Sequence, residues 1–295
     1  MSPPVPWTQE EVAHILDALT FGDIEVEGRL VDASNVALLG QIDLDKVRTR
    51  VIYKPVSGER PLWDFPDGTL AQREAFAFVL SDLGGWNLVP PTVLREGPLG
   101  LGSVQLWIDA VEGGSKTLID VVAPAELAPG WMPVFEAQLN DGTQVVVAHA
   151  NSPELASAAV FDVVINNADR KGSHLVVDGS GSLWGFDHGL CAHAAPKLRT
   201  VLWGWVGQQL PEADLHRLDA LSGWLRDSKS PLSRTIEVLV SPAEVDALGR
   251  RLANLLTAGV FPDPNGRGPA VPRPPLRRVG GPHRTRLAPR GPRRP

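Results

Sequence analysis

Four ionisable side chains, far apart along the chain, stand where apolar surroundings oblige each to find a partner. Lys54 follows Val51-Ile52-Tyr53 and is stopped by Pro55. Glu74 shares a helical face with Leu70, Ala77 and Phe78 by i±3/4 spacing, so it points toward a core. Asp169 lies in the polar run Asn166-Asn167-Ala168-Asp169-Arg170-Lys171-Gly172-Ser173-His174, and Asp187 ends the apolar stretch Leu183-Trp184-Gly185-Phe186 ahead of His188-Gly189. Taking a carboxylate or ammonium out of water is costly unless an opposite charge or hydrogen-bond donors meet it. A strand lysine, a glutamate to hold it, an acid in a polar loop and a second acid closing a hairpin are what phosphoryl transfer asks for. The group in flight is anionic throughout, so its catalysis is mainly positioning and charge neutralisation.

The elements that must position these side chains can be read around them. Thr8 and Glu11 make a capping box for a helix over 9–19. Strand-like runs at 24–33, 36–44 and 47–56 form an antiparallel meander with a Ser34-Asn35 turn, and the third carries Lys54. Beyond a loop holding Trp63 and Phe65, Thr69 and Gln72 form a second box. It opens the helix that carries Glu74, and Gly84-Gly85 closes that helix. Strands at 90–94 and 103–108 flank a hairpin rich in glycine. Residues 110–151, with scattered Gly and Pro, read as irregular chain with short helices. Ser152-Pro153-Glu154 starts the helix that delivers Asn166 to Asp169. Leu175-Val176-Val177 and Leu183-Trp184-Gly185-Phe186 pair across Asp178-Gly179-Ser180-Gly181. Helices at 211–227 and 242–258 complete the order, the latter burying Val245, Leu248, Leu252 and Leu255. The expected division is an N-terminal helix (1–20), a sheet lobe with one helix (21–109), a mostly helical lobe (110–261) and a tail (262–295): an α+β, two-lobed chain.

Composition narrows the class. The 295 residues are 43% hydrophobic with a net charge of −6, as for a globular protein. No apolar run approaches the roughly 18–20 residues a bilayer crossing needs, and no basic segment precedes an apolar one at the N-terminus, so a cytoplasmic location is expected. A single cysteine, Cys191, excludes an internal disulfide framework. Residues 262–295 hold nine Arg, ten Pro and one acid, Asp263. The tail thus carries +8 and leaves −14 on the rest. Such a segment cannot bury enough surface to fold and is expected to be disordered. It is read as a solvated extension, with weak contact to nucleic acid or anionic lipid as the sharper alternative. His174, His188, His193 and Cys191 lie close in sequence but match no zinc spacing. His188 and His193 are expected to be packed or hydrogen-bonded. Trp203 and Trp205 are expected to be core or cleft wall, a substrate shelf being the alternative.

The motifs Tyr53-Lys54-Pro55, Arg73-Glu74, Asn167-Ala168-Asp169-Arg170 and Phe186-Asp187-His188-Gly189 resemble those of the phosphatidylinositol 3-/4-kinase-like superfamily. That superfamily lies within the wider protein-kinase-like fold, and the chain looks closest to its bacterial members near the HipA-like kinases. The resemblance covers about residues 35–190. It implies ATP and Mg²⁺ as cofactors, with Lys54 on the nucleotide phosphates, Glu74 paired to it, Asp169 as the catalytic acid and Asp187 on the metal. By the same analogy Ser34 and Asn35 would cover the phosphates, and Gln105 and Trp107 would border the adenine. The chain departs from the pattern five residues after Asp169, where the superfamily has asparagine and His174 stands. Imidazole there suits Mn²⁺ better than Mg²⁺, which prefers oxygen. The resemblance therefore implies γ-phosphate transfer to an alcohol on a lipid, protein or small molecule. A nucleotide-binding module without catalysis, or adenylyl transfer, stands as the alternative.

Overall fold

The computed structural model describes residues 7–30, 35–44, 47–60, 62, 65, 69–139, 141–264, 268–273 and 285–286. Helix α1 (Gln9–Phe21) opens on the expected box, Thr8 and Glu11 bonding reciprocally. Strands β1 (Glu25–Leu30), β2 (Leu38–Leu44) and β3 (Val47–Pro55) follow. After α2 (Leu70–Leu83) come β4 (Thr92–Gly97) and β5 (Gly100–Leu106). All pairings among these strands are antiparallel, in the order β1-β2-β3-β5-β4. Alternation along β3 turns Val51 and Tyr53 into a small core with Leu19, Ile42 and Val104, so Lys54 faces the other way.

The second lobe departs from expectation at its start. Residues 110–151 do hold short helices, the 3-10 turns Gly114–Thr117 and Pro124–Glu126, but the rest is not irregular chain: β6 (Ile119–Val122), β7 (Trp131–Gln138) and β8 (Gln144–Ala150) form an antiparallel sheet of order β6-β8-β7. The β-branched run Val145-Val146-Val147, buried at its centre, drives it, while a register shift between Pro133 and Phe135 breaks the alternation that would have revealed β7. Helix α3 (Pro153–Ile165) then leads to the hairpin β9 (Leu175–Val177) and β10 (Leu183–Gly185). It is followed by α4 (Glu212–Arg226), α5 (Pro231–Ile236) and α6 (Pro242–Ala258). Six-residue α5 is too short to show periodicity and has no counterpart in the sequence reading.

Helix α2 also differs at its start. Thr69 is left-handed (φ 68°) and caps nothing. The carboxylate of Glu59 caps the helix from a distance instead, accepting from Leu70 N at 3.1 Å and Ala71 N at 2.8 Å. The apolar side chains of α2, Phe76, Phe78 and Leu80, belong to the large core shared with α3, α4, α5, α6 and Trp205 rather than to the small core of the first sheet. Of the 262–295 tail, Ala270 docks by accepting from Thr200 N (3.1 Å) and Trp203 Nε1 (2.8 Å). Thr285–Arg286 pairs with β1, and most of the remaining tail lies outside the described residues.

Candidate functional site

The four side chains singled out in the sequence meet where β3, α2 and the two loops of the second lobe converge. Lys54 Nζ bonds Glu74 Oε1 and lies 3.2 Å from Asp187 Oδ1. The other oxygen of Glu74 accepts from His188 N at 3.0 Å, so one carboxylate ties the strand lysine to the loop that bears Asp187. Glu74 is buried and Lys54 half-buried. Burial alone would lower the lysine pKa, but the charges of Glu74 and Asp187 outweigh it and push it up. Lys54 is an ammonium at any working pH.

Asp187 is crowded on one side, yet its side chain keeps 59% of its surface accessible. Lys54 holds its carboxyl well below the usual range against the opposing effect of burial, and His174 and Lys171 assist. Its backbone is left-handed (φ 58°), a conformation that costs a non-glycine residue and persists only where neighbours impose it. Gly189, two residues on, lies against α2, within van der Waals reach of Leu70 and Glu74.

Asp169 sits beside this pair. Its N–H donates to Asn167 Oδ1 at 3.0 Å and its Oδ2 accepts from Lys171 Nζ at 2.7 Å. Burial pushes its pKa up, and the charge of Asp187 adds to this while Lys171 opposes it. His174 Nε2 is 3.5 Å from Asp187 Oδ2. Burial lowers its pKa to about 4, so the ring is neutral near pH 7, and its buried Nδ1 finds no partner among the described residues.

Beneath both loops lies a polar hub that sequence reasoning missed. Asp162, on α3, and Arg170 are both fully buried. Asp162 Oδ1 accepts from Arg170 Nη2 at 2.9 Å and Asn167 Nδ2 at 2.9 Å, and Oδ2 from Thr200 Oγ1 at 3.1 Å. Arg170 reaches on to His188 Nε2 (2.7 Å), His174 O (3.3 Å) and Phe186 O (3.4 Å). Since the guanidinium can only donate, His188 Nε2 must accept. Burial and Arg170 hold that ring neutral. One arginine thus sets the Asp169 loop against the Asp187 loop. An aspartate in the apolar second half of a helix, Ala158 to Ile165, eight residues before an arginine, was the available signal.

The other candidates have these partners. Asn35 accepts from Arg60 N at 3.0 Å, and Ser34 lies outside the described residues. Gln105 is buried and gives its amide to Thr92 Oγ1 at 2.8 Å. The Trp107 indole donates to Asp109 at 3.1 Å under the Arg50 guanidinium. His188 is packed as expected, and His193 accepts from Ala195 N at 2.9 Å. Trp205 is core, stacked on His149 and Phe261. Among the described residues no three His, Cys, Asp or Glu side chains gather as a metal cage. The open carboxylate of Asp187, with His174 beside it, fits instead a divalent ion that arrives with phosphate and water ligands of its own, as Mg²⁺ does. A fixed cation and an open acid able to hold a divalent ion can offset the charge of a polyanion, and a half-buried acid of raised pKa can take up a proton. No helix of the described residues is long and apolar enough to cross a membrane.

Comparison with known proteins adds three findings. No family model matches. The chain is 45% identical over 263 residues to Protein Rv2133c of Mycobacterium tuberculosis, across 87% of this chain and 93% of that one. A solved structure, the Helicobacter pylori proinflammatory kinase CtkA, aligns with a TM-score of 0.46 at 12% identity, covering 82% of this chain and 94% of that chain.

Proposed function

This chain belongs to the family of the Mycobacterium tuberculosis Protein Rv2133c, and we propose that it is an ATP-dependent phosphotransferase that moves the γ-phosphate to an alcohol. The observation that carries the reading is the meeting of Lys54, Glu74 and Asp187, residues supplied by a strand, a helix and a loop from opposite halves of the chain. Lys54 neutralises the phosphates, and Glu74 keeps it extended toward them. Asp187, with His174 at its flank, would hold a divalent ion, which would supply further neutralisation of phosphate charge. Asp169 accepts or orients the proton of the attacking hydroxyl, and its raised pKa suits that task better than an ordinary aspartate would. Lys171, held on Asp169 at 2.7 Å, is placed to follow the transferred group. The finer assignment, to the phosphatidylinositol 3-/4-kinase-like superfamily near the HipA-like kinases, rests on the four motifs.

A second reading is a nucleotide-binding module without turnover. It is favoured by His174 in place of asparagine and by the Lys171 ammonium already paired to Asp169. Incubation with γ-labelled ATP and Mg²⁺ or Mn²⁺ separates the two. Label transfer or release that disappears in Asp169→Ala supports the phosphotransferase. Thermal stabilisation by ATP with no turnover under either metal supports the module and removes the first reading.

A further inference from the structure

We propose that Arg73 is a positioning residue for this site: a buried latch to Glu244 and to the Cys191 carbonyl seats α2 on the helical lobe and so aims Glu74. The inference rests on the phosphotransferase reading for its consequence but on geometry for its existence. Arg73 is 3% exposed. Its Nη2 lies 2.7 Å from Glu244 Oε1, and its Nη1 donates to Cys191 O at 2.6 Å. Glu244 is itself anchored at the start of α6, where its other oxygen accepts from Ser241 N and Oγ at 2.9 Å.

Adjacent residues on a helix point about 100° apart. Arg73 therefore turns toward α6 while Glu74 turns toward Lys54. Helix α2 meets the loop after Asp187 at three places: Leu70 against Gly189, Glu74 on His188 N, and Arg73 on Cys191 O. Cys191 Sγ returns to Arg73 O at 3.5 Å. The apolar side chains of α2 lie in the large core with α6, whereas Lys54 rides on β3 beside the small core. The Lys54–Glu74 pair thus joins the two lobes, and α2 must hold its place on the helical lobe for the pair to form. Releasing Arg73 frees a side chain that ties α2 to both α6 and the Asp187 loop.

The test is calorimetric titration of Mg²⁺·ATP, well below the melting temperature, into the full chain and its Arg73→Ala, Arg73→Lys, Glu244→Gln and Leu252→Ala variants. Leu252 is fully buried in α6, so its truncation destabilises the same lobe without touching the latch. Arg73→Ala should weaken ATP binding at least about tenfold, a loss of about 1.4 kcal/mol. Arg73→Lys and Glu244→Gln should lie between it and the native chain, and Leu252→Ala within about twofold of native. Native-like affinity in Arg73→Ala, or losses that merely track melting temperature across all four, would overturn the latch. Hydrogen exchange of 70–83 and 186–193 reads it without nucleotide. Exchange faster in Arg73→Ala than in Leu252→Ala supports the latch, and equal rates overturn it. A native chain that binds no ATP while that exchange contrast persists removes the phosphotransferase reading alone.

Discussion

Replacing Asp162 by asparagine removes the carboxylate hydrogen-bonded to the fully buried Arg170 guanidinium. Asp162 and Arg170 both have no exposed side-chain surface, so Arg170 cannot reach water when its counter-charge goes. The new amide group also turns a donor toward Thr200 Oγ1 or Arg170 Nε, both donors to Asp162 in the native chain. Breaking a buried pair by removing one partner costs about 3–5 kcal/mol. With a urea slope near 3 kcal/mol/M, the midpoint of unfolding should fall by roughly 1–1.7 M. The double variant Asp162→Leu/Arg170→Leu leaves no unpaired charge at the hub and should recover part of that loss. The recovery stops short of native because His174 O and Phe186 O lose their donor. Urea unfolding of the three proteins is the assay. A loss below about 1 kcal/mol in Asp162→Asn, or a double variant less stable than the single, would refute the hub as the organiser of the two loops.

Three further outcomes follow from the same geometry. Because burial raises the Asp169 pKa and Lys171 opposes it, an acid that must be ionised to act gains activity as pH rises through a value above the ordinary aspartate pKa of about 3.9. Lys171→Met should move that limb of the kcat/KM profile to higher pH still, and an unmoved limb counts against Asp169 as the base. His174→Asn restores an oxygen donor beside Asp187 and should shift metal preference from Mn²⁺ toward Mg²⁺, read as the ratio of ATP turnover or affinity under the two ions; an unchanged ratio places His174 away from the ion. Glu59→Ala strips the distant cap from α2 and should cost about 1 kcal/mol in urea unfolding, within the range for lost helix caps. A change within error would mean that water replaces the carboxylate.

The site was more legible in the sequence than the architecture around it. Lys54, Glu74 and Asp187 announce themselves because each is a charge embedded in apolar neighbours, and a charge so placed must be met by another. The structure supplies the meeting directly. Helices with local start signals could be read for the same reason: Thr8 with Glu11 completes its box, and Ser152 accepts from Leu155 N, each within one turn. Thr69 shows the limit of such signals. Its composition is that of a cap, but the chain turns left-handed there and Glu59, eleven residues away from Leu70 along the chain, does the capping. The β6-β8-β7 sheet escaped for a related reason. Its edge strands take their hydrogen bonds from a partner rather than from local pattern, and a bulge at Pro133 interrupts the alternation. The hub of Asp162, Arg170, His188 and Thr200 spans thirty-eight positions, and its one local signal, a single aspartate on an apolar helix face, does not name the partners it meets.

The central claim is that Lys54, Glu74, Asp169 and Asp187 surround a single triphosphate. It is tested most directly by a crystal structure of the chain with a non-hydrolysable ATP analogue and Mg²⁺. The account predicts the ion at coordinating distance, about 2.1 Å, from a carboxylate oxygen of Asp187, with Lys54 Nζ on a phosphate oxygen and Asp169 facing the terminal phosphate. Nucleotide bound elsewhere, with the Lys54–Asp187 contact undisturbed, would contradict it.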